Sequence, residues 1–355
     1  MEFKPSACEC EFDTKRRMEK IILPGTVLNV SRICIGCWQF NAGKFDETWP
    51  AQTVETSKAI VDKALELGVN FFDTAEVCGS HTAENVLGKC LGNRRRDVVV
   101  STTFGSYRDG KQVAYTAEDI DKALTASLRA LQTDYIDLYQ IHWMGNVKNL
   151  AETVEELKRQ QSRGRIRAYG VSNFGPTDIA DLYDVGGTVC TNQIPYNLLW
   201  RAIEYEIIPE CLKRNIGILA YSPLQQGLLS GRFSKPEDVP EGRRRTRHFS
   251  KDSTTLSKHG QAGAEAETFK TLEGMRDICR DDNVSMAAAS LSWILGKQGV
   301  SAAIVGARTP EQVEENCKLV KLSSDTVMKL DECTEDLKGV INSNPDMWAP
   351  VSRYH

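Results

Sequence analysis

The 355-residue sequence lacks any apolar run long enough to cross a membrane, and residues Met1–Lys20 lack the apolar core of a signal peptide. It also lacks a charge excess, since 44 Lys and Arg stand against 48 Asp and Glu. We therefore expect a cytoplasmic protein with neither a membrane nor a nucleic-acid partner. Two local arginine clusters, Arg94–Arg96 and Arg243–Arg247, are interpreted as solvated loops.

The eleven cysteines lack the second ligand pair that a zinc site requires. Cys34 and Cys37 have the spacing of a redox or metal pair, but they lie within the apolar run Ile33–Trp38, which is typical of a buried strand. We therefore predict no metal site and expect reduced thiols.

Short β-rich runs alternate with longer stretches of helical periodicity, eight times in succession. This alternation predicts an α/β fold, the parallel (β/α)8 or TIM barrel. The predicted strands are Ile33–Cys37, Asn70–Asp73, Val98–Thr102, Ile136–Gln140, Ile166–Val171, Cys190–Ile194, Gly217–Tyr221 and Ala302–Val305. The predicted helices are Val54–Leu67, Thr82–Leu91, Ala117–Leu131, Leu150–Arg163, Thr177–Val185, Glu206–Arg214, Glu267–Trp293 with a break near Asn283, and Pro310–Lys318.

Two further segments complete this architecture. Apolar runs flank Pro24 and Gly25, which predicts a β-hairpin closing the barrel floor. The irregular stretch Ser222–Ala264 follows the seventh strand, and a loop of that length is more often functional than idle. We predict a flexible amino-terminal tail over residues 1–17 and one barrel domain over residues 18–355.

Polar residues follow the predicted strands at the end where barrel enzymes carry their active sites. From the second strand to the eighth, these residues are Asp73, Thr103, His142, Ser172 with Asn173, Gln193, Tyr221 with Ser222, and Gly306 with Arg308.

The run after the eighth strand predicts a helix start that binds an anion. Thr309 suits the N-cap, Pro310 suits the first helical position, and Gln312 completes a capping-box spacing. The free N–H groups at this end attract an anion, and the Arg308 guanidinium offers a planar fork for a phosphate.

Several segments together resemble the aldo-keto reductase family, in the branch of inositol-utilisation reductases and potassium-channel β subunits. They are Asn70–Gly79, Val98–Gly105, Tyr139–His142, Tyr169–Phe174, Thr191–Asn197, Tyr221–Gly227, Ser230–Arg232, Ala303–Asn316 and Asn344–Trp348. The resemblance runs from about Met18 to the carboxyl end. It implies an NADP(H)-dependent oxidoreductase acting on a small carbonyl or alcohol substrate, in a fold that needs no Rossmann fingerprint.

The resemblance also implies cofactor contacts. Arg308 would hold the 2′-phosphate, and Gln312, Glu315 and Asn316 would hold the adenosine end. Ser172, Asn173 and Gln193 would hold the nicotinamide carboxamide, and Tyr221 would stack on the ring. The remaining expected contacts are Gly36, Cys37, Trp38 (as a pocket wall), Asp73, Ser222, Pro223, Leu224, Gln226, Gly227, Arg232 and Gly306.

Two of the four catalytic residues of that family are replaced here. Asp73 and His142 stand in place, but Cys78 occupies the tyrosine position and Thr103 the lysine position. In the family the tyrosine protonates the carbonyl oxygen, and the lysine, held by the aspartate, lowers the pKa of that tyrosine. Without the cation, Asp73 either takes up a proton or pairs with another group.

The replacements leave several functions open. The first is an oxidoreductase with an altered proton donor, either His142 or Cys78. The second is a catalytically silent NADP(H)-binding pseudoenzyme or regulatory subunit. Non-redox chemistry at Asp73 and His142 is a third, and redox sensing by Cys78 is a fourth.

The pocket walls are less defined by the sequence. The loop residues His81 and Tyr107 lie close enough in sequence to reach the site. The segments Asn41–Trp49 and Met144–Asn149 are candidate walls, but neither indicates a substrate. Whether the protein forms a homo-oligomer is left open.

Overall fold

The computed structural model describes residues 18–40, 52–105, 107–108, 111–349 and 351–355. The predicted tail over residues 1–17 and the candidate wall Asn41–Trp49 lie outside the described residues.

An antiparallel hairpin precedes the main fold, as predicted from Pro24 and Gly25. Its strands are β1 (Lys20–Ile22) and β2 (Asn29–Ser31), and Gly25 has the positive φ of +65° that the turn requires. The hairpin residues Leu23, Leu28 and Val30 are buried against inward-facing residues at the amino-terminal ends of the barrel strands. The hairpin therefore closes the floor of the barrel.

Eight parallel strands form a closed barrel, which confirms the predicted (β/α)8 architecture. They are β3 (Ile33–Gly36), β4 (Phe71–Ala75), β5 (Val99–Phe104), β8 (Ile136–Ile141), β9 (Ile166–Ser172), β10 (Thr191–Pro195), β11 (Gly217–Tyr221) and β12 (Val300–Gly306). The short pair β6 (Tyr107–Arg108) and β7 (Lys111–Gln112) lies between β5 and β8 along the chain. Pairing of β12 with β3 closes the ring.

Helices follow the strands in the predicted alternation. They are α1 (Val54–Glu66), α2 (Thr82–Leu91), α3 (Ala117–Ala130), α4 (Leu150–Ser162), α5 (Pro176–Asp184), α6 (Ile207–Lys213), α7 (Glu265–Asp281), α8 (Met286–Gly296), α9 (Pro310–Cys317), α10 (Ser324–Cys333) and α11 (Glu335–Ile341). The break predicted near Asn283 separates α7 from α8, where Asn283 has a left-handed φ of +51°.

Within the described ranges, no helix combines the length and the apolar character needed to span a bilayer.

Candidate active site at the barrel mouth

Asp73, in the middle of β4, is held by a chain of neutral donors inside the barrel. Gln193 Nε2 donates to Asp73 Oδ1 at 2.8 Å, and the Ser101 hydroxyl also bonds to this carboxyl group. Gln140 Nε2 donates to Ser101 Oγ at 2.9 Å, and Gln140 Oε1 accepts from Thr191 Oγ1 at 3.0 Å. Since Ser101 Oγ accepts from Gln140, its single proton is directed at Asp73.

The protonation of Asp73 is set by burial. Burial raises the pKa of Asp73 to about 7, and the hydrogen bonds from Ser101 and Gln193 oppose this rise. No cation contributes to its pKa among the described residues. Asp73 was expected either to take up a proton or to pair with another group. The structure provides partners, but they are uncharged, so the carboxyl group still titrates near neutral pH.

Thr103 faces the same space as Asp73. It lies two residues after Ser101 on β5 and so points to the same side of the strand, whereas Thr102 points outward and donates to Glu84 Oε1 at 2.7 Å. The Thr103 side chain is 2% exposed, and its Oγ1 has no hydrogen-bond partner in the described part of the chain. This hydroxyl can therefore form a hydrogen bond with a bound ligand.

Cys78 is buried beside another thiol. It follows β4, is 5% exposed, and belongs to an apolar cluster that includes Cys37. Burial raises the pKa of Cys37 well above its ordinary value, and the nearby Asp73, Cys90 and Cys78 add to the rise. Cys78 therefore lies close to the Cys37 thiol in an apolar part of the site.

His142 follows β8 and is partly buried at the mouth. Burial lowers its pKa to about 4, the Gly105 carbonyl opposes this change, and the charge of Arg353 contributes to it. His142 Nδ1 lies 3.4 Å from the Gly105 carbonyl oxygen. Because a carbonyl only accepts, Nδ1 carries the proton in this contact, and Nε2 of the neutral ring has no proton to donate.

Asn173 forms a junction among the neighbouring strand ends. Its Nδ2 donates to the His142 carbonyl and to Ser172 Oγ, both at 3.1 Å. Its Oδ1 accepts from Tyr221 Oη at 3.0 Å and from Tyr354 Oη at 2.7 Å. The three residues expected to hold a nicotinamide carboxamide are contiguous, because Ser172 Oγ donates to the carbonyl of Gln193 at 3.0 Å.

The rim of the mouth is formed by residues after β3 and by the long loop. Trp38 is 41% exposed, and the Arg245 guanidinium lies over its ring at 6.0 Å and over the Trp348 ring at 5.1 Å. Gly36 pairs with Asp73 in the barrel register. Cys37 is fully buried and contacts the site by its backbone, since its N–H donates to the Asp73 carbonyl at 2.8 Å.

The loop after β12 is shaped by the side chains of α9. Thr309 Oγ1 caps the helix by accepting from the Gln312 N–H, and Gln312 Oε1 accepts from the Arg308 N–H at 2.9 Å. Asn316 Nδ2 donates to the Gly306 carbonyl at 3.3 Å. The predicted cap is confirmed, and Gln312 and Asn316 hold Arg308 beside the helix start.

Glu315, also on α9, forms an exposed ion pair with Lys318 at 2.5 Å. In the structure its side chain therefore bonds to its own helix surface rather than to the loop that carries Arg308.

Three arginines converge near this helix start. Burial lowers the pKa of Arg243, and the charges of Arg308 and Arg232 lower it further, so Arg243 is repelled by both of these arginines. The Arg243 guanidinium also lies against Gly227. Arg243 is half-buried, so its interpretation as part of a solvated cluster is wrong. The useful signal in the sequence was the position of the arginine run within a long loop after the seventh strand.

The segment after β11 runs through a tight sequence of turns towards these arginines. Ser222, Gln226 and Gly227 all have positive φ, and Gln226 Oε1 is buried with no partner among the described residues. Gln225, which sequence reasoning missed, anchors the segment from below by accepting from Asn197 Nδ2 at 2.6 Å.

Pro223 and Leu224 lie between these turns, with Pro223 buried and Leu224 partly buried. Of the two loop residues expected near the site, His81 pairs with Glu84 at 2.5 Å, on the outer face of β5 and away from the barrel interior. The Tyr107 side chain lies outside what the structure describes.

Comparison with known proteins identifies the class of protein. A model of the aldo/keto reductase family matches residues 32–335, so the chain belongs to this family of nicotinamide-dependent oxidoreductases that act on small carbonyl compounds. The resemblance stated from the sequence is thereby confirmed.

Particular relatives include enzymes and a channel subunit. The methylglyoxal reductase YeaE of Escherichia coli is 32% identical over 289 residues, spanning 80% of this chain and 87% of that protein. A probable voltage-gated potassium channel subunit beta from Oryza sativa is 28% identical, spanning 90% of this chain and 95% of that one.

Solved structures agree with this family assignment. The holo form of aldo-keto reductase AKR11C1 from Bacillus halodurans superimposes with a TM-score of 0.71 at 25% identity, covering 89% of this chain and 96% of that chain. The glycerol dehydrogenase AKR11B4 from Gluconobacter oxydans gives a TM-score of 0.74 at 26% identity, covering 92% and 97%.

Proposed function

We propose that this protein binds NADP(H) across the barrel mouth and reduces a small carbonyl substrate with an altered proton donor. The observation that carries the proposal is the convergence of Arg232, Arg243 and Arg308 beside the start of α9. Clustered cations that repel one another favour a multiply charged anion, and the 2′-phosphate and pyrophosphate of NADP(H) supply such charges.

Two side chains of the site have hydrogen-bonding capacity that the protein itself does not use, as a site for this cofactor requires. Gln226 Oε1 is buried without a partner on the segment between the arginines and Tyr221. Gln193 spends one amide hydrogen on Asp73, which leaves further capacity at its amide group for a carboxamide. The arginine cluster would hold the phosphates, Gln193 and Tyr221 would hold the nicotinamide, and the bound cofactor would supply a hydride.

We assign the proton donor to Asp73. With a pKa of about 7, its carboxyl group carries a proton in about half of the molecules at neutral pH. His142 is neutral there, with its one proton directed at a carbonyl, and the Cys78 thiol is buried. Asp73 would deliver its proton to the carbonyl oxygen while the bound cofactor supplies the hydride to the carbonyl carbon, and the Asp73 carboxylate would then be reprotonated by solvent.

Small aldehydes are the first substrates to test. Two Escherichia coli relatives are named as methylglyoxal reductases, one of them as NADH-specific. The position of Arg308 favours NADPH over NADH for this chain. Methylglyoxal, other short aldehydes and glycerol with the oxidised cofactor form a suitable panel.

A catalytically silent NADP(H)-binding protein is the second candidate. It is favoured by the loss of the tyrosine and the lysine at positions 78 and 103, which removes the usual acid and its tuning cation. A relative of the potassium-channel β-subunit type is compatible with such a role. Under this alternative the protein binds the cofactor but converts no substrate.

Two measurements decide between the candidates. NADPH binding, followed by nucleotide fluorescence, is expected under both, and its absence would overturn both. Single-turnover oxidation of bound NADPH by the aldehyde panel is expected only for the enzyme. In that assay, Asp73→Asn should slow hydride transfer by about 100-fold while leaving NADPH affinity within about twofold. The matched control is Asp336→Asn, a highly exposed aspartate on α11.

A further inference from the structure

The carboxyl-terminal residues 351–355, here called the carboxyl-terminal strap, lie against the barrel mouth. Their most buried member is Tyr354, which is 7% exposed. Its hydroxyl donates to Asn173 Oδ1 at 2.7 Å and also contacts the Tyr221 hydroxyl. Tyr354, which is 181 positions from Asn173 in sequence, thus reaches two residues that are expected at the nicotinamide.

The strap is fixed at three further points. Arg353 forms a two-point ion pair with the buried Asp346, at 2.6 and 3.0 Å, and its guanidinium lies 4.0 Å from the centre of the Trp143 ring. The Tyr354 ring packs edge-on against the same Trp143 ring at 5.1 Å. These contacts tie the strap to the residue that directly follows His142.

The last residue of the strap is bonded to α5. The His355 N–H donates to Asp178 Oδ2 at 3.0 Å, and the His355 carbonyl accepts from the Asp178 N–H at 3.0 Å. Gly175 leaves room for this contact, since a Cβ there would lie 2.3 Å from the His355 carbonyl oxygen. Gly175 itself has an ordinary φ of −84°, so its lack of a side chain matters only for this packing.

The bonding capacity of Asn173 is fully used in this arrangement. Both of its amide hydrogens are donated, to the His142 carbonyl and to Ser172 Oγ, and its Oδ1 accepts from two phenols. Without the Tyr354 hydroxyl, Asn173 Oδ1 loses one of its two donors, and the Tyr221 hydroxyl loses a neighbouring polar group. Each of these losses leaves the group freer to rotate.

We propose that the carboxyl-terminal strap is a brace for the nicotinamide site, in which Tyr354 is a positioning residue that fixes the Asn173 amide and the Tyr221 ring. This inference rests on the proposed function, because it takes the nicotinamide to lie against Tyr221. The strap contacts Asn173 after β9, Tyr221 at the end of β11, Asp178 on α5 and Trp143, so we expect it to act at the nicotinamide end of the mouth.

Two variants test the brace without removing the strap. Tyr354→Phe deletes one hydroxyl and keeps the ring packed on Trp143. Gly175→Ala displaces the strap at His355 while retaining Tyr354. Tyr205→Phe is the matched control, because Tyr205 is an exposed tyrosine whose ring contacts Lys338.

The experiment compares two probes by titration: NADPH, and adenosine 2′,5′-bisphosphate, which lacks the nicotinamide. Both variants should weaken NADPH about fivefold, the effect of losing one hydrogen bond, and leave the affinity for the bisphosphate unchanged. Unchanged NADPH affinity would overturn the brace. So would tighter NADPH binding, which indicates that the strap competes with the cofactor, and so would an equal loss of affinity for both probes. A wild-type protein that binds neither probe overturns the proposed function instead, so the two failures are distinguishable.

Discussion

The side-chain amide of Gln193 donates a 2.8 Å hydrogen bond to the carboxyl group of Asp73, across 120 positions of sequence. Gln193 is a neutral donor, so it orients the carboxyl group without cancelling its charge. A lysine at position 103 would do both. The partners of Asp73 are amide and hydroxyl donors, and none among the described residues is a cation, so burial dominates the pKa of this carboxyl group.

The first prediction concerns Ser101, whose proton is directed at Asp73. Ser101→Ala removes a hydrogen bond to the ionised carboxyl group and should raise the pKa of Asp73 by about one unit. Reduction requires the protonated acid, so the rate falls as pH rises through this pKa. The fall should move to higher pH by the same amount in the variant, as measured by single-turnover rates from pH 5.5 to 9. An unshifted profile would show that another group controls the rate.

The second prediction concerns stability. The folded-state pKa of Asp73, about 7, lies above the ordinary aspartate value near 4. The folded state therefore binds this proton more tightly, so stability is fully present below pH 4 and is lost as pH rises towards and through 7. Asp73→Asn should raise the Tm relative to wild type by a few degrees at pH 8.5 and much less at pH 5. Equal Tm differences at both pH values would contradict the raised pKa.

The third prediction concerns the arginine cluster. Arg308→Ala should weaken NADPH about 10- to 100-fold, because a charge-assisted contact to the 2′-phosphate is lost, and should weaken NADH far less. Arg243→Ala should weaken both nucleotides if Arg243 contacts the pyrophosphate. Arg280→Ala, on the exposed end of α7, is the control. Titration of both nucleotides checks each variant, and equal loss for Arg308→Ala would remove the 2′-phosphate assignment.

The fourth prediction restores the residues that the family uses. Cys78→Tyr combined with Thr103→Lys should raise aldehyde reduction at least about tenfold, since positioned acid catalysis contributes about 100-fold or more. The lysine would also pair with Asp73 and lower the pKa of that carboxyl group, which removes the pH dependence near 7. Steady-state rates with methylglyoxal measure the effect. A double variant no faster than wild type would mean that the pocket does not accommodate a catalytic tyrosine and lysine at these two positions.

The repeating part of the fold could be predicted from sequence because each βα unit carries its own periodicity. All eight barrel strands and the break at Asn283 were predicted on that basis. The helices α10 and α11 were not, because they follow the eighth unit and no repeat indicates them.

Residues at several strand ends were expected at the site, but side-chain contacts could be predicted only within one local segment. The capped start of α9 is such a case, since Thr309 and Gln312 are three positions apart. The bonds from Gln193 to Asp73 and from Tyr354 to Asn173 span 120 and 181 positions, and nothing local in the sequence indicates them. Arg243 was misassigned because an arginine run in a loop has the same composition whether it is solvated or folded over a ligand site.

The hairpin beneath the barrel has a consequence for access to the site. Leu23, Leu28 and Val30 cover the end of the barrel opposite Asp73 with buried apolar side chains. Under the proposed function, the nucleotide and the carbonyl compound would therefore both approach Asp73 from the mouth, so that each would restrict the route of the other.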